Sequence, residues 1–103
     1  MPVKSSITFA ETAVSDLKEI VSYYNEQGVP HVGKKLVAEI VAEVGLLQHH
    51  PDLGRIVPEF EIEYMRELIR PPFRIVYRRE RKRIRIVRVW RSERLLKISE
   101  EKI

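Results

Sequence analysis

The hydrophobic period of this chain changes once, and that change limits the folds open to it. Between residues 10 and 49 apolar side chains recur at spacings of three and four; between 64 and 91 they recur at every second position. The first period belongs to helices that bury one stripe, the second to strands that bury one face. A helical half followed by a sheet half, in 103 residues, predicts a single α+β domain spanning 1–103.

The helical half divides at Gln27-Gly28-Val29-Pro30. Gly28 suits the left-handed residue that ends a helix, and Pro30 suits the first turn of the next. The first helix is predicted over 10–25. Val14, Leu17, Ile20, Val21 and Tyr24 form its apolar stripe, while Asp16, Lys18 and Glu19 face away. Thr12 and Ser15 are both candidate N-caps. The second helix is predicted over 30–49, with Val32, Leu36, Ile40, Val44 and Leu47 on one side and Val37 and Val41 widening the stripe. So short a break makes the pair an antiparallel hairpin.

Ahead of the helices, residues 4–9 alternate as a strand. After them, "HHPDLGRIVPEFEIEY" carries Pro51, Gly54 and Pro58 and reads as a loop. Three strands follow, over 64–70, 73–79 and 83–90, separated by Pro71-Pro72 and by a turn near 79–82. Connections this short imply an antiparallel meander. The expected fold is therefore an N-terminal strand, a helical hairpin and a three-stranded antiparallel meander. Together they form one small sheet with helices on one face and the other face open. Residues 91–103 are polar and predict a last helical turn or a loose tail.

Charge is distributed unevenly along this plan. Residues 1–63 hold 5 basic and 10 acidic side chains; residues 64–103 hold 14 basic and 5 acidic ones. The sheet half is thus strongly positive, which favours an anionic partner, nucleic acid or an acidic protein segment. Cysteine is absent, so disulfides and cysteine–zinc sites are excluded. No apolar run is long enough for a membrane span, and "MPVKSSITF" lacks the apolar core of a signal peptide, so the expected location is the cytoplasm, away from membranes. No cofactor is called for. His31, His49 and His50 lack metal-ligand helical spacing, and no metal site is expected. His49 and His50 suit a helix C-terminus better than the role of general base.

Strict alternation places Ile84, Ile86, Arg88 and Trp90 on one face of the last strand and Arg83, Arg85, Val87, Val89 and Arg91 on the other. In the middle strand Phe73, Ile75 and Tyr77 oppose Arg74, Val76 and Arg78; in the first, Arg66, Leu68 and Arg70 oppose Met65, Glu67 and Ile69. No face is wholly apolar, so the face under the helices stays open, and arginines from several strands must lie side by side. Like charges directly opposite one another cost stability, a cost that an anionic partner offsets. Tyr23 and Tyr24 read as packing residues at the end of the first helix. Trp90 reads equally as core or as an exposed anchor. Arg55 with Glu59 or Glu67 reads as a structural ion pair pinning the loop.

The ordered motifs "DLKEIVSYY", "PDLGRIVPEF", "RELIRPPFRIVYR" and "IRIVRVWRSER" resemble the RelE/ParE superfamily of type II toxin–antitoxin toxins, over about 9–95. The most specific part is Leu53-Gly54-Arg55, Pro58-Glu59, Arg66-Glu67-Leu68 and Arg74–Arg78, in that order. The resemblance implies the fold deduced above and a cognate antitoxin, whose flexible acidic or amphipathic segment wraps the toxin in a hetero-oligomer. It implies one of two activities. RelE-like members cut mRNA on the ribosome; ParE-like members poison DNA gyrase.

RNA cleavage without a metal needs a base, a cation for the phosphorane and an acid for the leaving oxygen. The RelE-like pattern draws these from the end of the last strand and the tail. Here that stretch contains no tyrosine and no histidine, leaving Arg91, Glu93 and Arg94 as an incomplete set. The motif pattern lies closer to ParE, which implies gyrase poisoning and the growth inhibition and plasmid stabilisation that accompany it. In that reading Arg74, Arg78, Arg88, Trp90, Arg91 and Arg94 form the surface that meets the target or the antitoxin. The alternatives are an mRNA endoribonuclease acting on the ribosome and a small basic nucleic-acid-binding module, in which Tyr77 and Trp90 stack on bases.

Overall fold

A computed structural model describes residues 4–91. Its elements are β1 (Ser6–Phe9), α1 (Glu11–Glu26), α2 (Pro30–Gly45) with a 3-10 turn at Leu46–Gln48, β2 (Arg55–Ile56), β3 (Met65–Arg70), β4 (Phe73–Arg79) and β5 (Arg83–Arg91). The strands make one sheet in the order β1-β5-β4-β3-β2. The meander β3-β4-β5 is antiparallel, as its short turns require, and β1 lies parallel to β5, with Ile7 beside Ile84 and Phe9 beside Ile86. The helical hairpin between β1 and the meander supplies the long crossover that a parallel neighbour needs. The loop after α2 contains one element that its prolines and glycine hide: the two residues of β2 pair with Arg66 and Glu67 and become the far edge of the sheet.

The helices cover one face. Ala13 and Ile20 of α1 and Ile40 and Val44 of α2 close over Leu68, Ile75, Tyr77, Ile84 and Ile86 in the main core. The helices approach closely at Gly33, where a Cβ would lie 3.1 Å from the Cβ of Tyr24 and 3.2 Å from the Cα of Val21. Gly28 takes φ of 78° in the turn between them, the left-handed conformation foreseen from its position. The first helix starts from Ala10 without a side-chain cap, so neither Thr12 nor Ser15 plays that part. The Thr12 hydroxyl donates instead to the carbonyl of Val87, tying α1 to β5.

The opposite face is not left open. Val57 and Phe60 from the loop and Met65 fold over Val76 and Trp90 as a second, smaller core. Two cores need two apolar faces at the end of β5, and a bulge supplies them. Val76 pairs with Arg88 but Tyr77 pairs with Ile86, so Val87 is skipped and the alternation resets. Val89 consequently joins Ile84 and Ile86 under the helices, while Trp90 turns into the second core with 7% of its surface exposed. Strict alternation had put Arg88 and Trp90 on the face of Ile84 and Val89 and Arg91 on the opposite one; the bulge at Val87 reverses all four.

Candidate functional site

The strand arginines sort themselves by the carboxylates available to them. Glu67, on β3, has a side chain with no exposed surface, and an ionised carboxylate there requires cationic partners. It has two. Arg74 Nε donates to its Oε1 at 2.6 Å and Arg55 Nε to its Oε2 at 2.7 Å. The rest of the Arg74 guanidinium forms a two-pronged pair with Glu59, both bonds 2.8 Å long. Hydrogen bonds from Arg74 hold the Glu59 carboxyl below its ordinary range, outweighing its partial burial. Burial opposes the Arg74 charge, yet its bonds to Glu59 and Glu67 prevail and raise its pKa. This chain of four groups fastens the loop of residues 49–64 across the sheet.

A second fastening lies beside it. The buried Tyr77 hydroxyl donates to the carbonyl of Pro51 at 2.8 Å and accepts from the amide of Gly54 at 3.0 Å. Burial pushes the Tyr77 pKa up. Arg66 donates to the Gly54 carbonyl. Only glycine fits at 54, since a Cβ would sit 2.5 Å from the carbonyl oxygen of Glu67 and 2.8 Å from the Tyr77 ring. The "LGR…PE…REL…RIVYR" residues are thus a loop and the strand residues that bind it. Leu53 and Pro58 are exposed, whereas Gly54, Glu59, Arg66 and Glu67 hold the loop down.

At the other end of the sheet, Asp16 behaves contrary to the helical pattern. It faces inward and is 6% exposed. β1 covers β5 only as far as Ile86, so residues beyond it present a free strand edge to α1. The Asp16 carboxylate takes the place of the missing strand, accepting from the amide of Val89 at 2.8 Å and from the Arg88 guanidinium at 2.8 and 2.9 Å. The Arg88 guanidinium also lies over the Trp90 ring, 4.4 Å from its centre.

Beyond Asp16 a groove of about 430 Å³ runs between the C-terminal half of α1 and the ends of β4 and β5. Its apolar lining includes Ile20, Tyr23, Tyr24, Phe73, Val89 and Trp90; Glu19, Glu26 and Arg91 supply charge. Arg91 lies over Phe73 and reaches the Tyr24 hydroxyl at 3.4 Å. Tyr24 packs against the main core, but Tyr23 is 49% exposed and meets Tyr24 edge to face, so Tyr23 is a surface aromatic rather than a buried one.

Of the six residues expected to form one binding surface, the fold withdraws Arg74 and Arg88, while Trp90, largely buried, still lines the groove with Arg91. Arg74 is buried among carboxylates, Trp90 is core, and Arg88 is bound to Asp16. Arg78 stays exposed beside Tyr64 and Arg91 stands in the groove. Glu93 and Arg94 lie outside the described residues, so of the trio Arg91, Glu93 and Arg94 only the first is placed. Reasoning from periodicity placed Tyr24 rightly in the packing stripe but turned Asp16 outward and did not join Tyr24 to Arg91, because neither a free strand edge nor a contact across 67 residues leaves a periodic signal. Among the described residues no group of histidines and carboxylates has metal-site geometry, and no helix is long and apolar enough to cross a membrane.

The family model described as the ParE toxin of the parDE type II toxin–antitoxin system matches residues 7–96. Among solved structures, the chromosomal ParDE system of P. aeruginosa contains a chain that is 31% identical, with a TM-score of 0.71 over 85% of this chain and 96% of that one. A chain of the RelBE2 toxin–antitoxin complex of Mycobacterium tuberculosis shares the fold at 22% identity, with a TM-score of 0.64 over 88% and 94% of the two chains. No curated protein matches. The match spans both helices, the stapled loop and the meander, and the chain belongs to the ParE toxin family of type II toxin–antitoxin systems.

Proposed function

We infer that this protein arrests growth by poisoning DNA gyrase and is silenced by a cognate antitoxin, with which it forms a hetero-oligomer in the cytoplasm. The observation that carries this reading is the ParE family match over 7–96. The similarity to a ParDE chain supports the antitoxin half of it. The groove beside α1 supports it physically: an apolar floor of Ile20, Phe73 and Val89 under exposed Tyr23, with charged groups on its walls, suits an amphipathic segment that buries apolar anchors and pairs its own charges at the rim. Arg91 is the arginine best placed to meet a carboxylate of that segment. Arg78, Arg91 and Arg94 remain the candidate contacts to antitoxin or target. Arg74 and Arg88 act through the shape of the surface rather than by touching a partner, and Trp90 contributes to the lining of the groove.

The test is two assays on the purified toxin: gyrase supercoiling with trapping of the cleavage complex, and mRNA cleavage on programmed ribosomes. Trapped gyrase–DNA breaks with intact mRNA are expected. Cut mRNA with untouched gyrase overturns the gyrase reading and makes Arg91, Glu93 and Arg94, with Tyr24 beside Arg91, the candidate catalytic set. Addition of antitoxin is expected to suppress the gyrase effect, and Tyr23→Ala with Arg91→Ala is expected to weaken that suppression.

A further inference from the structure

The hairpin joining β4 to β5 is the most basic stretch of the molecule. Residues 78–85 contain six basic side chains and one acidic one. The fold removes only one of the six, because Arg79 bonds to Asp52 on the side toward the loop. The other five, Arg78, Arg81, Lys82, Arg83 and Arg85, are exposed. Among the described residues a single carboxylate answers them: Glu80 holds Arg83 at 2.6 Å and reaches Arg78 at 3.4 Å. Arg81, Lys82 and Arg85 have none.

Their arrangement is costly for an isolated protein. Arg78 and Arg85 are register partners on adjacent strands, on the face away from the helices, so two guanidinium groups stand directly opposite each other. Elsewhere the sheet avoids this, setting Arg55, Arg66, Arg70, Arg74, Arg79 and Arg88 against carboxylates, with Asp52 shared by Arg66 and Arg79. The patch also offers little apolar surface; its neighbours on β1 are Ser6 and Thr8. Protein partners anchor through several buried apolar and aromatic groups, and a patch whose exposed aromatic, Tyr64, lies under Arg78 fits a polyanion held mainly by charge. Arg83 and Arg85 lie on the same face two residues apart, about 6.8 Å along a strand, so their charges stand side by side.

We propose that the β4–β5 hairpin binds the phosphate backbone of duplex DNA, without reading its sequence. The site is separate from the groove beside α1 and does not depend on which enzyme the toxin attacks. Five cations sharing one carboxylate neutralise about four phosphates, so log K falls with log salt with a slope of about −3.6, roughly a hundred-fold loss between 50 and 200 mM salt.

The experiment is fluorescence anisotropy of a short labelled DNA duplex titrated with the purified protein across that salt range. Arg81→Ala with Arg85→Ala is expected to shrink the slope by about two, leaving roughly a ten-fold loss over the same range. Lys34→Ala with Lys35→Ala, an equal charge change on exposed α2 positions, is expected to leave the slope unchanged. All four positions are exposed, and thermal melting checks that both variants fold. Equal slopes for the two double variants overturn the proposal, as does a wild-type affinity that ignores salt. Displacement of the duplex by poly-glutamate at equal charge concentration also overturns it, in favour of an acidic protein segment.

Discussion

Replacing Arg74 by methionine tests whether the loop of residues 49–64 is held by charge. Three charge-assisted hydrogen bonds disappear, one to Glu67 and two to Glu59. The apolar stem keeps its packing, but the wholly buried Glu67 carboxylate is left with Arg55 alone. Removing one partner of a buried pair costs about 3–5 kcal/mol, most of it the penalty of the charge left behind. Unfolding entropy near 2.1 cal/mol/K per residue gives this chain about 0.2 kcal/mol/K in total, so each kcal/mol lowers Tm by about 4–5 °C. The expected fall is about 14–23 °C, read from thermal unfolding followed by circular dichroism at pH 7. Arg83→Met supplies the contrast: its bond to Glu80 is exposed, and such pairs contribute under ~1 kcal/mol. Adding Glu67→Met to Arg74→Met should return at least half the loss, because the stranded charge is then gone. The reasoning is refuted if Arg74→Met melts within about 5 °C of wild type, or if the double variant is less stable than the single one.

Glu59 is held below its ordinary carboxylate value of 4.5 by Arg74, so its stabilisation is fully present above that value and is lost as pH falls through the lower folded value. Glu59→Gln should therefore lower stability at pH 7 and flatten the acid limb below pH 4.5, as followed by urea unfolding at stepped pH. Tyr77→Phe leaves the Gly54 amide and Pro51 carbonyl without their partner and should cost about 1–3 kcal/mol in the same assay. Gly54→Ala should cost at least as much, since its Cβ meets backbone rather than a movable side chain. Asp16→Ala should speed hydrogen exchange at the Val89 amide well before it alters exchange at Ile75, in the middle of the sheet.

The elements whose stabilisation is local were legible in the sequence. Gly28 and Pro30 mark the turn between helices, and Pro71-Pro72 marks the turn between strands, because backbone geometry alone restricts those positions. What escaped depends on pieces far apart in the chain. Asp16 looked solvated because a charged side chain was grouped with Lys18 and Glu19; its partner is a strand edge more than 70 residues later. The bulge at Val87 arises from the need to serve two cores, and the second core exists only because a loop crosses the sheet. An ion pair of Arg55 with Glu59 or Glu67 was readable because a charge in a Gly- and Pro-punctuated loop needs anchoring; the structure forms the pair with Glu67. Which strand arginines pair was not readable, since each of the three meander strands carries more than one. Tyr24 beside Arg91 is invisible to any periodic reading, as it joins the end of the first helix to the end of the last strand.

The Asp16 carboxylate has a consequence for how the molecule behaves among its own copies. A strand edge with free amides and carbonyls is a template on which another chain can add itself. Along β5 that template is short to begin with: Ala10 and Thr12 occupy the carbonyls of Ile86 and Val87, and Asp16 occupies the amide of Val89. One helix thus does for the edge what a neighbouring strand does elsewhere, and an acidic side chain stands in for a backbone carbonyl. Losing that side chain removes three hydrogen bonds and also exposes an adhesive border, so Asp16→Ala is expected to bring self-association at high concentration, seen by light scattering, along with its loss of stability.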